Sequence, residues 1–370
     1  MRTRNQGLSL VELMVAVTLA LITVVVVMQV LSVYEARKRT ATVGTDAEIS
    51  AAFGLYMLER EIRMAGAGFT MPAGLACAAG VNLHYNGTTL ADAEPLAPLL
   101  IVDGGAGPDR IRVLRSNANF GVAPTTVVGN MASADANVIV NGTAGLTTGD
   151  LLLAAAPDGS KICTIMQLTD VAAPAGSAFQ LPHESTSLYN PDPSVFTTPV
   201  SYSVGDIVMN LGRGGLRTIG VICGDGAAPG LTNSCDLASF DAFESDANPA
   251  LADVDSIAPQ VIDLQAQYGV APAGSQTVNE WVDATGAWAA PSANDLRRIK
   301  AVRIAIVTRG NLEREEVSPA SLVLWNDDPV ANPADPASDK SIALDADQRM
   351  YRYKVLTVVV PLINVIWAGV

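Results

Sequence analysis

Between Arg4 and Glu35 the chain carries one charged residue, Glu12. It stands at the head of a run of 22 uncharged residues, Leu13 to Tyr34 (LMVAVTLALITVVVVMQVLSVY). An ionised carboxylate is costly at such a place unless a cation meets it. Two roles fit it. It can be a helix-N-terminal acid favoured by the macrodipole, reaching toward a headgroup layer. It can instead pair with a cation buried in an assembly, where two opposite charges in an apolar bundle favour one alignment of neighbouring chains. The second role is the one with functional content.

Other reactive residue types are few. The four cysteines, Cys77, Cys163, Cys223 and Cys235, all follow the apolar run and lack C-x-x-C or Cys/His zinc spacing. An even count outside the cytoplasm points to disulfides, with three connectivities open. The favoured one closes the short Gly/Pro/Asn-rich loop Cys223–Cys235, leaving Cys77–Cys163 to tie the segment after the helix to a strand. The two histidines, His84 and His183, stand in loop-like sequence without a serine or cysteine motif, and no G-x-S-x-G, H-E-x-x-H or phosphate-binding loop occurs. The acidic run Asp335, Asp339, Asp345, Asp347 offers oxygen ligands for Ca²⁺ but lacks EF-hand spacing, which favours a solvated loop. The expectation is a protein that is not an enzyme and has no cofactor or metal.

Composition separates two regions. Of 370 residues 49% are hydrophobic, 16% charged and 5% aromatic, too apolar for a disordered chain. Residues 1–39 hold five basic and two acidic residues, leaving 18 basic against 35 acidic in 40–370. A formal charge of −14 supplies no basic surface for nucleic acid, and aromatics are too sparse for base stacking. A basic, apolar front end is joined to an acidic body.

The elements that position these residues follow from pattern. At about 1.5 Å per residue the uncharged run spans roughly 33 Å as a helix, enough for a bilayer core. It is too long for a signal-peptide core, and no small-residue cleavage site follows in SVYEARKRT. No proline precedes Pro72, and residues 46–65 continue a helical pattern. Ile49, Phe53 and Tyr56 lie on one face, with Leu55, Leu58 and Ile62 beside it, and this apolar stripe is expected to pack on a sheet. GAGF at 66–69 and Pro72 end the pattern. One helix from about Leu8 to about Ala65 would be about 85–90 Å long.

Beyond it, strands are expected at Leu99–Val102, Arg110–Leu114, Asn137–Val140, Asp150–Ala154, Ile162–Leu168, Asp206–Leu211, Arg217–Ile222, Val261–Tyr268, Ala301–Thr308 and Tyr351–Val360. Residues 254–268 fit a helical stripe as well as a strand; strand is preferred for 261–268. Two stretches, TTGDLLLAAAPDGSKICTIMQL and SVGDIVMNLGRGGLRTIGVICG, read as a duplicated hairpin. Residues 170–200, 225–256 and 327–347 read as surface loops.

The Arg-containing leader, Gly7, and then L-S-L-V-E-L-M-V-A resemble the class III signal of type IV pilins and type II secretion pseudopilins. The resemblance implies that prepilin peptidase cuts after Gly7, and that the new N-terminal Leu8 is N-methylated, although Phe is the family's usual residue there. Glu12 then takes the family's acidic position, where it attracts the N-terminal ammonium of a neighbouring subunit. Further along, LEREIRMAGAGF, VIDLQAQYG (261–269), the loop tryptophans Trp281 and Trp288, RIKAVRIAIVTRG (298–310) and DQRMYRYKVLTVVVPLIN (347–364) resemble the PilW-like minor pilins. That family often ends in an Arg-Asn pair, whereas this chain has Ile363-Asn364 and runs on into VIWAGV.

The implied fold class is α+β of the type IV pilin-like kind, a long helix packed on a large antiparallel β-rich head. The implied divisions are a leader (1–7), a long helix (8–66, transmembrane over about 13–34) and an extracytoplasmic head (67–370). The implied function is a minor pilin in a tip or initiation complex. Its implied partners are other minor pilins, the major pilin, prepilin peptidase, the inner-membrane assembly platform and a PilY-type tip adhesin. Its place would be the bacterial inner membrane with the head in the periplasm, and then a pilus on the cell surface. A type II secretion pseudopilin of the J type is the near alternative. A membrane-tethered ligand-binding or enzymatic protein is the alternative of another class.

Overall fold

The computed structural model describes residues 10–67, 77, 80–86, 88–90, 96–118, 124–170, 173–185, 187–213, 216–224, 234–241, 254–313, 315–325 and 340–364. Helix α1, Leu10–Arg63, runs unbroken for 54 residues. Its Val-rich first half is a poor helix former in water, but hydrocarbon demands that every backbone group be paired internally, and a helix does so. After Arg63 the chain turns at Gly66, whose φ of +75° suits glycine. The Gly66 amide donates to Leu114 O at 2.9 Å, and a Cβ there would stand 3.3 Å from Pro98 Cβ.

Two sheets receive the far half of α1. One has four strands in the order β16 (Glu280–Val282), β15 (Val261–Val270), β17 (Ile299–Leu312), β20 (Tyr351–Pro361), all antiparallel. The other has five, in the order β14 (Asp255–Pro259), β13 (Cys235–Asp241), β12 (Leu216–Cys223), β4 (Arg110–Leu114), β3 (Leu99–Val102). In the first sheet Leu264 pairs with Ile306, which pairs with Leu356; Ala266 pairs with Ile304, which pairs with Val358. These residues share a face and belong to the same core as Leu58 and Ile62 of the helix. Tyr268 joins the sheets from within: its hydroxyl accepts from the Ile101 amide at 2.6 Å. The opposite face of the four-stranded sheet is covered by the hairpin β18 (Ser321–Trp325) and β19 (Lys340–Ala343), with Ile262, Ala305, Val307, Leu322 and Leu324 between them. There the Arg303 guanidinium lies between two indoles, 4.9 Å from Trp281 and 4.8 Å from Trp325, and donates to Gln267 Oε1 at 2.7 Å.

A third sheet lies further along the head. Its order is β2 (Thr88–Leu90), β1 (Val81–Tyr85), β8 (Cys163–Gln167), β7 (Leu151–Ala155), β11 (Ile207–Gly212), β5 (Thr125–Gly129), β6 (Val138–Val140), β10 (Ala178–Leu181), β9 (Ala173–Ala175). The β1–β8 pair is parallel and its other pairs antiparallel. A short helix α2, Ala293–Arg298, capped by Ser292, precedes β17.

Each of the ten expected strands coincides with a strand, give or take a few terminal residues. Several other readings change. The three stretches read as loops contain β9 and β10, β13 and part of β14, and β19. Their alanines, serines and aspartates give little strand signal, and pairing with neighbours supplies what propensity does not. Trp281 belongs to β16 and Trp288 to a 3₁₀ turn, so the two do not share one loop. The duplicated hairpin holds only in its first copy, where Leu151 pairs with Gln167 and Leu153 with Ile165. In the second copy β11 pairs with β7 and β5, while β12 pairs with β13 and β4. Similar local sequence thus serves two different sheets, because a strand's partner is chosen by tertiary packing.

Candidate functional site

The expected assembly residue, Glu12, lies on α1. Its segment Leu10–Ser32, 23 residues, is apolar enough to cross a membrane, and none of it is buried against the rest of the chain. Glu12 sits in the first turn of α1 with its side chain exposed, the acid of an otherwise uncharged stretch. Gly7 and Leu8 lie outside the described residues.

From Ser50 onward the helix has two faces. Ala51, Leu58, Ile62 and Ala65 are buried in the core formed with the four- and five-stranded sheets. Gly54 lies on this face at the closest approach; a Cβ there would come 3.0 Å from Ala258 Cβ and 3.2 Å from Leu237 Cδ2. Polar contacts flank the buried stripe. Ser50 Oγ donates to Pro259 O at 2.6 Å, Arg115 meets Glu61 at 3.2 Å, and Lys354 lies 3.6 Å from Glu48. The helix's end is tied to the other end of the described chain, where Asn364 donates to the Arg63 and Ala65 carbonyls.

The opposite face corrects the expected packing. Ile49, Phe53 and Tyr56 do not lie on the sheets; they are 62%, 50% and 61% exposed. At about 100° per residue they stand roughly half a turn from Leu58 and Ile62. The expected stripe is therefore two stripes, one used by the head and one presented outward beyond the exposed Leu10–Ser32 segment. Helical periodicity already sets the two half a turn apart; what it does not say is which of two apolar faces the head covers.

The cysteines are paired as Cys77–Cys163 and Cys223–Cys235, with separations of 86 and 12 residues. The first fixes the segment after the helix to β8. The second joins the facing ends of β12 and β13, where the two cysteines are register partners. The remaining candidates do not converge. His84 is buried on β1, and burial lowers its pKa. His183 lies in the loop after β10, where Nδ1 contacts Leu181 O at 3.3 Å. Asp345 Oδ1 accepts from the Gln348 amide, so it braces a turn. Asp335 and Asp339 lie outside the described residues, and no group of three or more metal-ligating side chains occurs among the described residues.

Residues 239–364 match the family model of PilW, the type IV pilus-assembly protein W. The chain is of the PilW type over that region. The match starts in β13 and ends at Asn364, the residue that ties the C-terminal segment to the end of α1. It includes the Trp281–Arg303–Trp325 cluster, and it supports involvement in type IV pilus assembly. No curated protein and no solved structure matches the chain.

Proposed function

We propose that this PilW-type chain is a minor pilin with a type IV pilin-like architecture, divided into leader 1–7, helix 8–66 and head 67–370. The observation that carries the reading is the division of labour in α1. Its segment Leu10–Ser32 is exposed, apolar and marked by one carboxylate, while from Ser50 to Arg63 it is clamped to the head by one face only. A helix so built is stable in lipid before assembly and among other apolar helices afterwards, since both satisfy its backbone internally and cover its side chains.

In this reading prepilin peptidase cuts between Gly7 and Leu8, and Leu8 is N-methylated. Glu12 receives the N-terminal ammonium of a neighbouring pilin, fixing stagger as the subunit leaves the inner membrane. Other minor pilins and the major pilin cover Leu10–Ser32 and the stripe Ile49, Phe53, Tyr56. The acidic head stands in the periplasm and later on the cell surface, in a tip or initiation complex that can carry a PilY-type adhesin. A head of some 300 residues suits such a place better than the repeating shaft, where it would crowd its neighbours.

Mass spectrometry of the mature N-terminus tests the first step: N-methyl-leucine at position 8 is expected, and an intact Met1 would overturn it. Glu12→Ala tests the second. Piliation and co-purification with other pilins should fall; unchanged association would refute Glu12-guided assembly. Loss of secretion with normal pili in a deletion strain would favour the J-type pseudopilin instead.

A further inference from the structure

Among the described residues the sheets end in short strands, with one exception. β2, β3, β9, β14 and β16 are edges of three to five residues each. β20, the edge of the four-stranded sheet, has 11. An open edge is a row of unpaired N–H and C=O groups, which natural proteins keep short, charged or covered.

The register shows which groups of β20 point outward. Leu362 N donates to Lys300 O at 2.9 Å, and Val360, Val358 and Leu356 stand opposite Val302, Ile304 and Ile306 in the same register. In an antiparallel pair such bonded partners alternate with partners whose main-chain groups turn away. Val355, Thr357 and Val359 are the alternate residues. Their N–H and C=O groups therefore face the free edge, where none has a partner among the described residues. Pro361 brings only a carbonyl and closes the row. Beside it the side chains of Thr357, Val359 and Pro361 are exposed. Toward the other end Arg352 and Lys354 are exposed, and β20 holds these two cations and no anion in a chain of formal charge −14. They reach Glu313 at 3.1 Å and Glu48 at 3.6 Å, surface pairs of little worth.

A second copy does not suit this edge. α1 and β20 run in the same direction, since Glu48 lies by Lys354 and Ala65 by Asn364. Two copies joined antiparallel through β20 would point their Leu10–Ser32 segments opposite ways, which one membrane or one helix bundle does not accommodate. We infer that β20 takes up an extended segment of a different polypeptide as a fifth strand. That segment would be β-branched and apolar where it passes Val355, Thr357 and Val359, and acidic where it passes Arg352 and Lys354. Main-chain bonds would supply the affinity and alternate side chains the choice of partner. The inference goes beyond the assembly reading and uses from it only the common direction of the apolar segments.

The test is hydrogen exchange, followed by NMR, on the full-length protein in detergent micelles. The amides of Val355, Thr357 and Val359 should exchange at least about a hundredfold faster than those of Leu356, Val358 and Val360, which are bonded to β17. The probe is the blocked peptide acetyl-Thr-Val-Thr-Val-Thr-Val-Glu-Thr-Glu-amide, whose antiparallel register sets its glutamates against Lys354 and Arg352. At about 1 mM it should slow the three outward amides by about tenfold or more. The same peptide with its valines N-methylated cannot complete the ladder and should leave them unchanged. With lysine in place of glutamate it should slow them less, most clearly at low salt. Thr357→Pro removes one outward N–H and no bond to β17, so melting should hold while the peptide's effect is lost. Outward amides protected in the free protein, no slowing by the peptide, or equal slowing by its N-methylated form would overturn the inference. Protection that grows with protein concentration would assign the edge to a second copy and overturn it as well. Equal slowing by the lysine peptide would overturn the acidic character of the partner. None of these readouts involves α1, so failure here leaves the assembly reading standing.

Discussion

The side-chain amide of Asn364 donates to the main-chain oxygens of Ala65 at 3.0 Å and Arg63 at 3.3 Å, joining groups about 300 residues apart. The last turn of a helix leaves carbonyls without intrahelical partners, and this amide satisfies two of them. The end of α1 is thereby tied to the C-terminal segment of the described chain. Asn364→Ala should cost about 1–2 kcal/mol, the worth of two hydrogen bonds, read as a lower denaturation midpoint at unchanged slope.

Gly54 marks the tightest seat of the helix. Alanine in its place gains about 1 kcal/mol of helix propensity, which crowding against Ala258 and Leu237 offsets. Gly54→Val has no such compensation and should destabilise by about 1–3 kcal/mol, measured by thermal melting of the purified chain.

The outward stripe predicts the converse behaviour. Phe53→Ser with Tyr56→Ser should change stability by no more than about 0.5 kcal/mol, because both side chains are exposed. Incorporation into pili, read by immunoblot of sheared fibres, should nevertheless fall severalfold. Normal incorporation would show that this face is not covered by a neighbouring pilin.

The two disulfides should differ in worth. By the chain-entropy account, a separation of 86 residues stabilises by about 4.6 kcal/mol and one of 12 by about 2.8 kcal/mol. Replacing Cys77 and Cys163 together by serine should therefore cost more than replacing Cys223 and Cys235, a ranking that parallel denaturant titrations check.

Asp109 gives the head a pH dependence. Burial pushes its carboxyl up to about 6, against hydrogen bonds from the Gly104 and Ala266 amides and the attraction of Lys340, with Asp103 adding to the rise. Between about pH 4 and 6 the folded chain keeps a proton that the unfolded chain has lost, so stability falls as pH rises through that window, by up to about 3 kcal/mol. Asp263, also raised by burial, acts in the same direction. Asp109→Asn should flatten this part of the stability curve, as denaturation at a series of pH values would show.

The sequence alone made legible whatever rests on local chemistry and period. The uncharged run with Glu12 at its head, the unbroken helix, ten of the strands and the more economical disulfide pairing all follow from spacing, composition or loop closure. These depend on neighbours in the chain, and short-range sterics and hydropathy act through them. What tertiary structure decided was partnership. It chose Leu58 and Ile62 rather than Phe53 and Tyr56 for burial, sent β11 and β12 of the second Gly-Asp stretch to different sheets, and turned loop-like β13 into an interior strand. It also brought Asn364 to Ala65. Each is a contact between segments distant in sequence, fixed by which surfaces bury together, and a linear pattern carries no record of that choice.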